Sequence, residues 1–256
     1  MCLLLIANRV HPLYKLVIAA NRDEFYDRSA LPADFWGEYP ELLAGKDLEA
    51  GGTWLGITKN GRFSAITNFR NFHSPIKKNA PSRGKLTTDF LLGEDSLQSY
   101  TKKLQNSSSD YNGFSLVYGF KDELFYYSNQ TKLEVRLKKG IYGLSNALLD
   151  TPWTKIKRSK KRFSEILNEN DKIIENIFAL LNDKDTAPDE ELPDTGLDKE
   201  REKALSSIFI KTPKYGTRCT TVLLIDKDDN VGFIETTYHP EGDNFSGVKF
   251  EFKIKA

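Results

Sequence analysis

The second residue of the chain is a cysteine, and removal of Met1 would make it the first. One residue would then hold both a thiol and a free α-amine. Such an amine titrates at about 7.7–8.0, so near neutral pH it can take the thiol proton without a histidine. Cys2 also opens the apolar run Cys2–Ala7, where a small hydrophobe starting a buried strand is the plainer account. Position alone leaves both accounts standing.

Asn21-Arg22-Asp23-Glu24 favours the first account. These four polar residues directly follow the apolar stretch Leu16–Ala20. If Cys2–Asn8 and Lys15–Asn21 pair as a hairpin, the cluster comes to lie beside Cys2. There an arginine would lower the thiol pKa and an aspartate could hold the amine. A solvated turn with an Arg–Asp pair would use the same residues. Asn68, Asn146 and Arg218 also stand at the ends of apolar strands. An asparagine amide can donate to the oxyanion of a tetrahedral intermediate, an interaction that contributes about 2.7–4 kcal/mol, although each asparagine alone reads as a turn former. The loop Gly45–Trp54, with Gly51, Gly52, Thr53 and Trp54 at its end, suits close backbone approach beside a flat aromatic surface, and we expect it to rim a pocket over Cys2. Asn21, Glu24, Thr53 and Trp54 are the expected substrate contacts.

The elements that must position these residues are mostly strands. Short β-rich runs at Cys2–Asn8, Lys15–Asn21, Trp54–Thr58 and Arg62–Phe69 are separated by turn chemistry, with Asn60-Gly61 marking a hairpin. A helix is expected over Thr87–Leu104. Strands follow at Phe114–Phe120, Glu123–Ser128, Lys132–Arg136 and Gly140–Ser145. Helices are expected at Pro152–Asn168 and Lys172–Leu181, then strands at Thr220–Asp226, Val231–Tyr238 and Val248–Lys255. Between them Asn182–Glu202, with nine acids against three bases, reads as an exposed loop running into a short helix. The basic run Lys155, Lys157, Arg158, Lys160, Lys161 and Arg162 reads as the wet face of an amphipathic helix. About eleven strands with helices grouped between them predict an α+β fold of antiparallel sheets covered by helices, in one domain over 1–256.

Composition removes several function classes. The 37 basic and 36 acidic residues leave a net charge of +1, which argues against nucleic-acid binding through bulk charge. No apolar run approaches the roughly 20 residues of a membrane-spanning helix. Two cysteines exclude a disulfide framework, and with no targeting segment in view the expectation is a cytoplasmic protein. Without GxGxxG, GxxxxGK[ST], HExxH or CxxC, no cofactor and no metal is expected.

Taken together the motifs are recognisable. Met1-Cys2, Ala19-Ala20-Asn21-Arg22-Asp23-Glu24-Phe25, the stretch Leu43–Gly56, Gly61-Arg62-Phe63 with Thr67-Asn68, and Ser82-Arg83-Gly84 resemble the NRDE family, also called transport and Golgi organisation 2. Gly143-Leu144-Ser145-Asn146, Pro152-Trp153, the stretch Pro188–Gly196 and Tyr215-Gly216-Thr217-Arg218 extend the resemblance over essentially the whole chain. It implies a fold similar to the N-terminal nucleophile (Ntn) hydrolases, a four-layer αββα sandwich. A weaker likeness to penicillin V acylases and bile-salt hydrolases implies roles for Cys2, Arg22, Asp23, Asn68, Asn146 and Arg218. The order Asn21-Arg22-Asp23-Glu24 departs from the Arg-Asn-x-Asp of those enzymes, so either Asp23 or Glu24 would support the amine. The expected function is hydrolysis of an amide, or a thioester, of an acyl-containing small molecule by Cys2. The alternative on the same fold is a non-catalytic protein that handles a hydrophobic ligand, lipid or haem.

Overall fold

The computed structural model describes residues 2–120, 122–169, 171–239 and 245–255. Among them are thirteen strands: β1 Cys2–Asn8, β2 Tyr14–Phe25, β3 Ala30–Trp36, β4 Tyr39–Asp47, β5 Leu55–Thr58, β6 Arg62–Asn68, β7 Phe114–Phe120, β8 Glu123–Ser128, β9 Leu133–Arg136, β10 Gly140–Leu144, β11 Tyr215–Asp226, β12 Asn230–Tyr238 and β13 Phe245–Lys253. The α-helices are α1 Gly84–Leu92, α2 Leu97–Ser107, α3 Thr154–Asn168, α4 Ile173–Leu181 and α5 Lys199–Ala204. One antiparallel sheet runs β10-β1-β2-β11-β12-β13 and the other β3-β4-β5-β6-β7-β8-β9. No helix among the described residues is long and apolar enough to cross a membrane.

Period-two alternation builds the layers. In β1, Leu4 and Ile6 enter the core between the two sheets, where Leu43, Ile57, Phe63 and Val117 meet them. Leu3, Leu5 and Ala7 point the other way, under Ile156, Phe163 and Ile166 of α3 and Ile177 and Leu181 of α4. On the far side, Leu86, Phe90 and Leu91 of α1 and Tyr100 and Leu104 of α2 cover Leu116 and Tyr118 of β7. The result is the expected α+β fold in four layers, αββα.

Several elements differ from expectation. The polar cluster at 21–24 lies inside β2 rather than beyond it, because its side chains find buried partners. Strands β3 and β4 were absent from the expected set, since Pro32, Asp34 and Pro40-Glu41 disguise their alternation. The single helix expected at 87–104 is two, broken at Gly93–Ser96, where the Ser96 hydroxyl caps α2 by accepting from the Ser99 N–H. The β5–β6 hairpin turns with only Gly61 at positive φ, 91°.

Candidate active site

Register brings the first site residues together. Cys2 opens β1 and pairs with Arg22, whose other neighbour, on β11, is Cys219. Asp23 stands one residue past the Cys2–Arg22 pair, and its own N–H is directed at the Cys2 sulfur. Arg22 follows the parity of Ile18 and Ala20 and faces the space between the sheets. Asp23 follows Val17 and Ala19 toward the helical layer. Two adjacent residues thus charge both sides of one strand beside the thiol.

The second sheet closes the opposite wall. A cleft of about 290 Å³ is lined by Cys2, Arg22, Asp23 and Glu24 from the first sheet and by Asp47, Thr53, Trp54, Ile66 and Asn68 from the second, with Arg28 and the start of α1 (Ser82, Arg83, Gly84) at its rim. Trp54 is fixed from both sides. The Arg22 guanidinium lies 4.1 Å from its ring centroid, and Gly45 leaves room beneath, where a Cβ would come within 2.3 Å of the indole. Gly52 lies so near the Gly84 carbonyl carbon that a Cβ would stand 2.7 Å from it, so the loop reaches the start of α1 only with glycine there.

Charges in the cleft are chained. Asp47 accepts from Arg28 Nε at 2.7 Å, lies 3.5 Å from Arg22, and accepts from the Glu49 and Ala50 N–H groups at 3.0 Å. Burial works against its charge, but the Arg28 bond and these backbone donors hold it below its ordinary pKa. Burial pushes the Cys2 thiol up despite the nearby Arg22. The expected lowering by arginine is therefore outweighed by burial. Burial also raises Asp23, to about 6, against the pull of Lys155 and the hydrogen bond from Thr217 Oγ1 at 2.7 Å. Lys155 is itself buried and lowered to about 8 by that burial, with Nζ donating to the Leu205 carbonyl at 2.8 Å. The wet-face reading of the basic run fails at this residue. Lys155 is in phase with Ser159, Phe163 and Ile166 and points inward from α3.

Other expected site residues lie elsewhere. Asn21 is buried on the helical side, its amide donating to the carbonyls of Leu181 (2.8 Å) and Ile208 (3.0 Å) and accepting from Thr220. It ties sheet to helices and does not line the cleft. Arg218 is the extra residue of a β-bulge between the pairs Thr217–Asp23 and Cys219–Arg22. The bulge turns it away, and Nη1 donates to the carbonyls of Phe25 (2.8 Å), Tyr26 (3.2 Å) and Arg28 (2.9 Å), holding the chain after β2. Asn146 is fully buried behind the cleft. Its amide donates to the Asn68 carbonyl at 3.0 Å, while Ser145 Oγ donates to the Cys2 carbonyl at 3.1 Å. Asn146 and Ser145 thus each brace the backbone of one cleft residue, and Asn146 is not among the residues lining the cleft. Thr53 lines the cleft while its hydroxyl is used by the Leu55 carbonyl. Cys2 and Cys219 flank β2, about two strand spacings or roughly 9.5 Å apart, too far for a disulfide without backbone movement.

A family model described as "Transport and Golgi organisation 2" matches residues 1–240. The chain belongs to that family. It is 39% identical over 239 residues to the Transport and Golgi organization protein 2 homolog of Bos taurus, covering 87% of this chain and 86% of the relative. The Homo sapiens homolog is 37% identical with the same coverage. Among solved structures, a variant of the conjugated bile acid hydrolase of Clostridium perfringens is similar over 100% of this chain and 97% of its own, at 11% identity and a TM-score of 0.48. A Caenorhabditis elegans N-acylethanolamine-hydrolyzing acid amidase ortholog aligns over 87% of this chain and 92% of its own, at 11% identity and a TM-score of 0.40.

Of the charged and amide side chains on the lining, four were missed: Arg28, Asp47, Arg83 and Asn112. Asp47 and Arg83 sit inside motifs that carry the Transport and Golgi organisation 2 resemblance, which was the available signal. Arg28 and Asn112 carried none. None of the chain's three histidines is among the lining residues. Among the described residues no three His, Cys, Asp or Glu side chains gather as ligands for a metal.

Proposed function

We propose that this protein is an N-terminal cysteine hydrolase that cleaves an amide, or a thioester, of an acyl-containing small molecule. The observation that carries the proposal is a free thiol at the start of a central strand, in a charged cleft whose described lining holds no histidine. A thiol of raised pKa needs a base to become a nucleophile. Once Met1, which lies outside the described residues, is removed, the α-amine of Cys2 is that base. Asp23, one residue past the Cys2–Arg22 pair, holds the amine in place and stabilises its protonated form.

The steps balance around that amine. It takes the thiol proton as sulfur bonds to the substrate carbonyl carbon, and the Asn68 side chain, on the cleft wall, donates to the oxyanion. The ammonium returns its proton to the leaving nitrogen as the C–N bond breaks, leaving a thioester on Cys2. Water, deprotonated by the amine, attacks the thioester, and the acid departs with the thiol restored. The partner is thus a small molecule, and a reducing cytoplasm keeps both free cysteines available.

The alternative, a handling protein for a hydrophobic ligand, has one observation in its favour. A neighbouring cavity of about 440 Å³ carries Phe69, Phe72, Ile76 and Tyr111 on its wall. Intact-mass analysis before and after an electrophilic acyl probe separates the readings. The expected result is a chain lacking Met1 with one adduct on Cys2, and no adduct in Cys2→Ala. A retained Met1 with an inert Cys2 would sink the hydrolase and leave the carrier.

A further inference from the structure

The cleft and the neighbouring cavity meet at Asn68, Arg83 and Asn112, which line both. Their charges differ. In the cleft, Arg22 and Arg28 are tied to Asp47, and Arg28 also has Glu49 at 3.5 Å and Glu24 at 4.0 Å. Arg83 is not so matched. Nη1 donates to the Gly113 carbonyl at 3.0 Å, and among the described residues no carboxylate oxygen lies within 4.0 Å of its guanidinium. Burial works against its charge, and Glu24 reaches it only through the longer-range field. The wall of the neighbouring cavity adds Lys77, Lys132 and Arg70, the last paired with Glu202 at 2.9 Å, and among the described residues it includes no Asp or Glu. The segment bearing Lys77 is clamped over the cavity by Asn112, which accepts from the Lys77 N–H at 2.9 Å and donates to the Lys77 carbonyl at 3.1 Å.

We infer that the substrate of the Cys2 site carries an anionic group, received by Arg83 at the junction of the two cavities. A guanidinium with one backbone partner keeps its remaining N–H donors for a planar or tetrahedral oxyanion. The start of α1, which opens on the same point through Ser82, Arg83 and Gly84, adds its positive end. The scissile carbonyl must reach Cys2 and Asn68, so the anion lies to one side of it. The apolar remainder has the wall of Phe69, Phe72 and Ile76 to enter. A neutral lipid amide would leave Arg83 desolvated and uncompensated, which disfavours it.

The inference rests on the hydrolase reading, and the experiment separates the two. Wild-type protein lacking Met1 is treated with a matched set of electrophilic acyl probes that differ only at one end: carboxylate, phosphonate, and the neutral methyl ester. Cys2 adduct formation is followed by intact mass. The expected result is labelling by an anionic probe roughly 10- to 100-fold faster than by the ester. Which anion is faster names the group. Arg83→Gln should bring the rates together and Arg83→Lys should keep part of the difference, whereas a role confined to holding the Gly113 carbonyl would slow all probes alike. Equal rates in the wild type, or a faster ester, overturn the inference and leave the hydrolase standing. An unlabelled Cys2 with every probe overturns the hydrolase, and this inference with it. Should Arg83→Gln fail to fold, the wild-type comparison still decides.

Discussion

Asp23 is the residue whose environment makes the sharpest thermodynamic demand. It is 1% exposed, and burial raises its pKa from 3.8 to about 6. A carboxyl that binds its proton more tightly when folded adds stability that is complete below pH 3.8 and is lost as pH rises through about 6. A shift of 2.2 units at 1.36 kcal/mol each makes the loss about 3 kcal/mol. Asp23→Asn keeps the acceptor that Thr217 Oγ1 uses and removes the titration. The variant should therefore match the wild type near pH 3.5 and exceed it by about 3 kcal/mol at pH 7. Urea unfolding at both values reads this, and the difference between the two proteins cancels Asp47 and the other carboxyls, which titrate in both. A gap independent of pH would refute the reasoning, because Asp23 would then be ionised without penalty. The same variant should label at Cys2 more slowly, having lost the charge that supports the amine.

Other variants test the geometry. Asn21→Leu removes the amide bonds to the Leu181 and Ile208 carbonyls, so urea unfolding should show a loss of about 2–4 kcal/mol while the rate of Cys2 labelling stays unchanged. Gly52→Ala places a Cβ 2.7 Å from the Gly84 carbonyl carbon and should destabilise by about 1–3 kcal/mol and slow labelling, since the cleft wall must move. Gly51→Ala, next to it, has an open surrounding but a φ of 73°, and should lose only about 1–2 kcal/mol with labelling intact. Trp54→Leu removes the surface under the Arg22 guanidinium, and labelling should slow in a protein whose circular dichroism is unchanged.

The central strands were legible because their alternation is uninterrupted. Leu3 to Ala7 is apolar on both faces, as a strand between a sheet core and a helical layer must be. At 21–24 the sequence turns polar, and a rule based on hydrophobicity ends the strand four residues early. What continues β2 is tertiary: carbonyls of α4 and the 208 loop for Asn21, and the Thr217 hydroxyl for Asp23. Such partners lie 160 or more residues away and leave no local trace. The bulge at Arg218 is similar, since nothing in Thr217-Arg218-Cys219 announces an extra residue. Asn68 was singled out as a polar residue closing an apolar strand, a pattern it shares with a turn former, and only the tertiary fold puts it on the cleft wall. Lys155 was readable and was misread: its spacing to Ser159 and Phe163 puts it on the buried face, but five neighbouring cations hid the phase.

Lys155 and Asp23 bear on why the helical layer belongs to the site. Burying both a lysine and a carboxyl beneath a strand is unfavourable, and apolar residues of equal volume would serve packing at least as well. Burial moves the two in opposite directions, Asp23 up to about 6 and Lys155 down to about 8, against their mutual attraction, so at pH 7 about a tenth of each is in its neutral form. If Cys2 is the nucleophile we propose, such shifted groups near the thiol are suited to acid–base chemistry at pH 7. The cleft side supplies the matched charges Arg22 and Asp47, 3.5 Å apart, with Asp47 held below its ordinary pKa. The helical side supplies the two groups that burial shifts toward neutrality, Asp23 and Lys155. Because Arg22 and Asp23 are consecutive residues of one strand, the separation of these duties is a consequence of β-alternation itself, and a one-residue slip of β2 against β1 would exchange them.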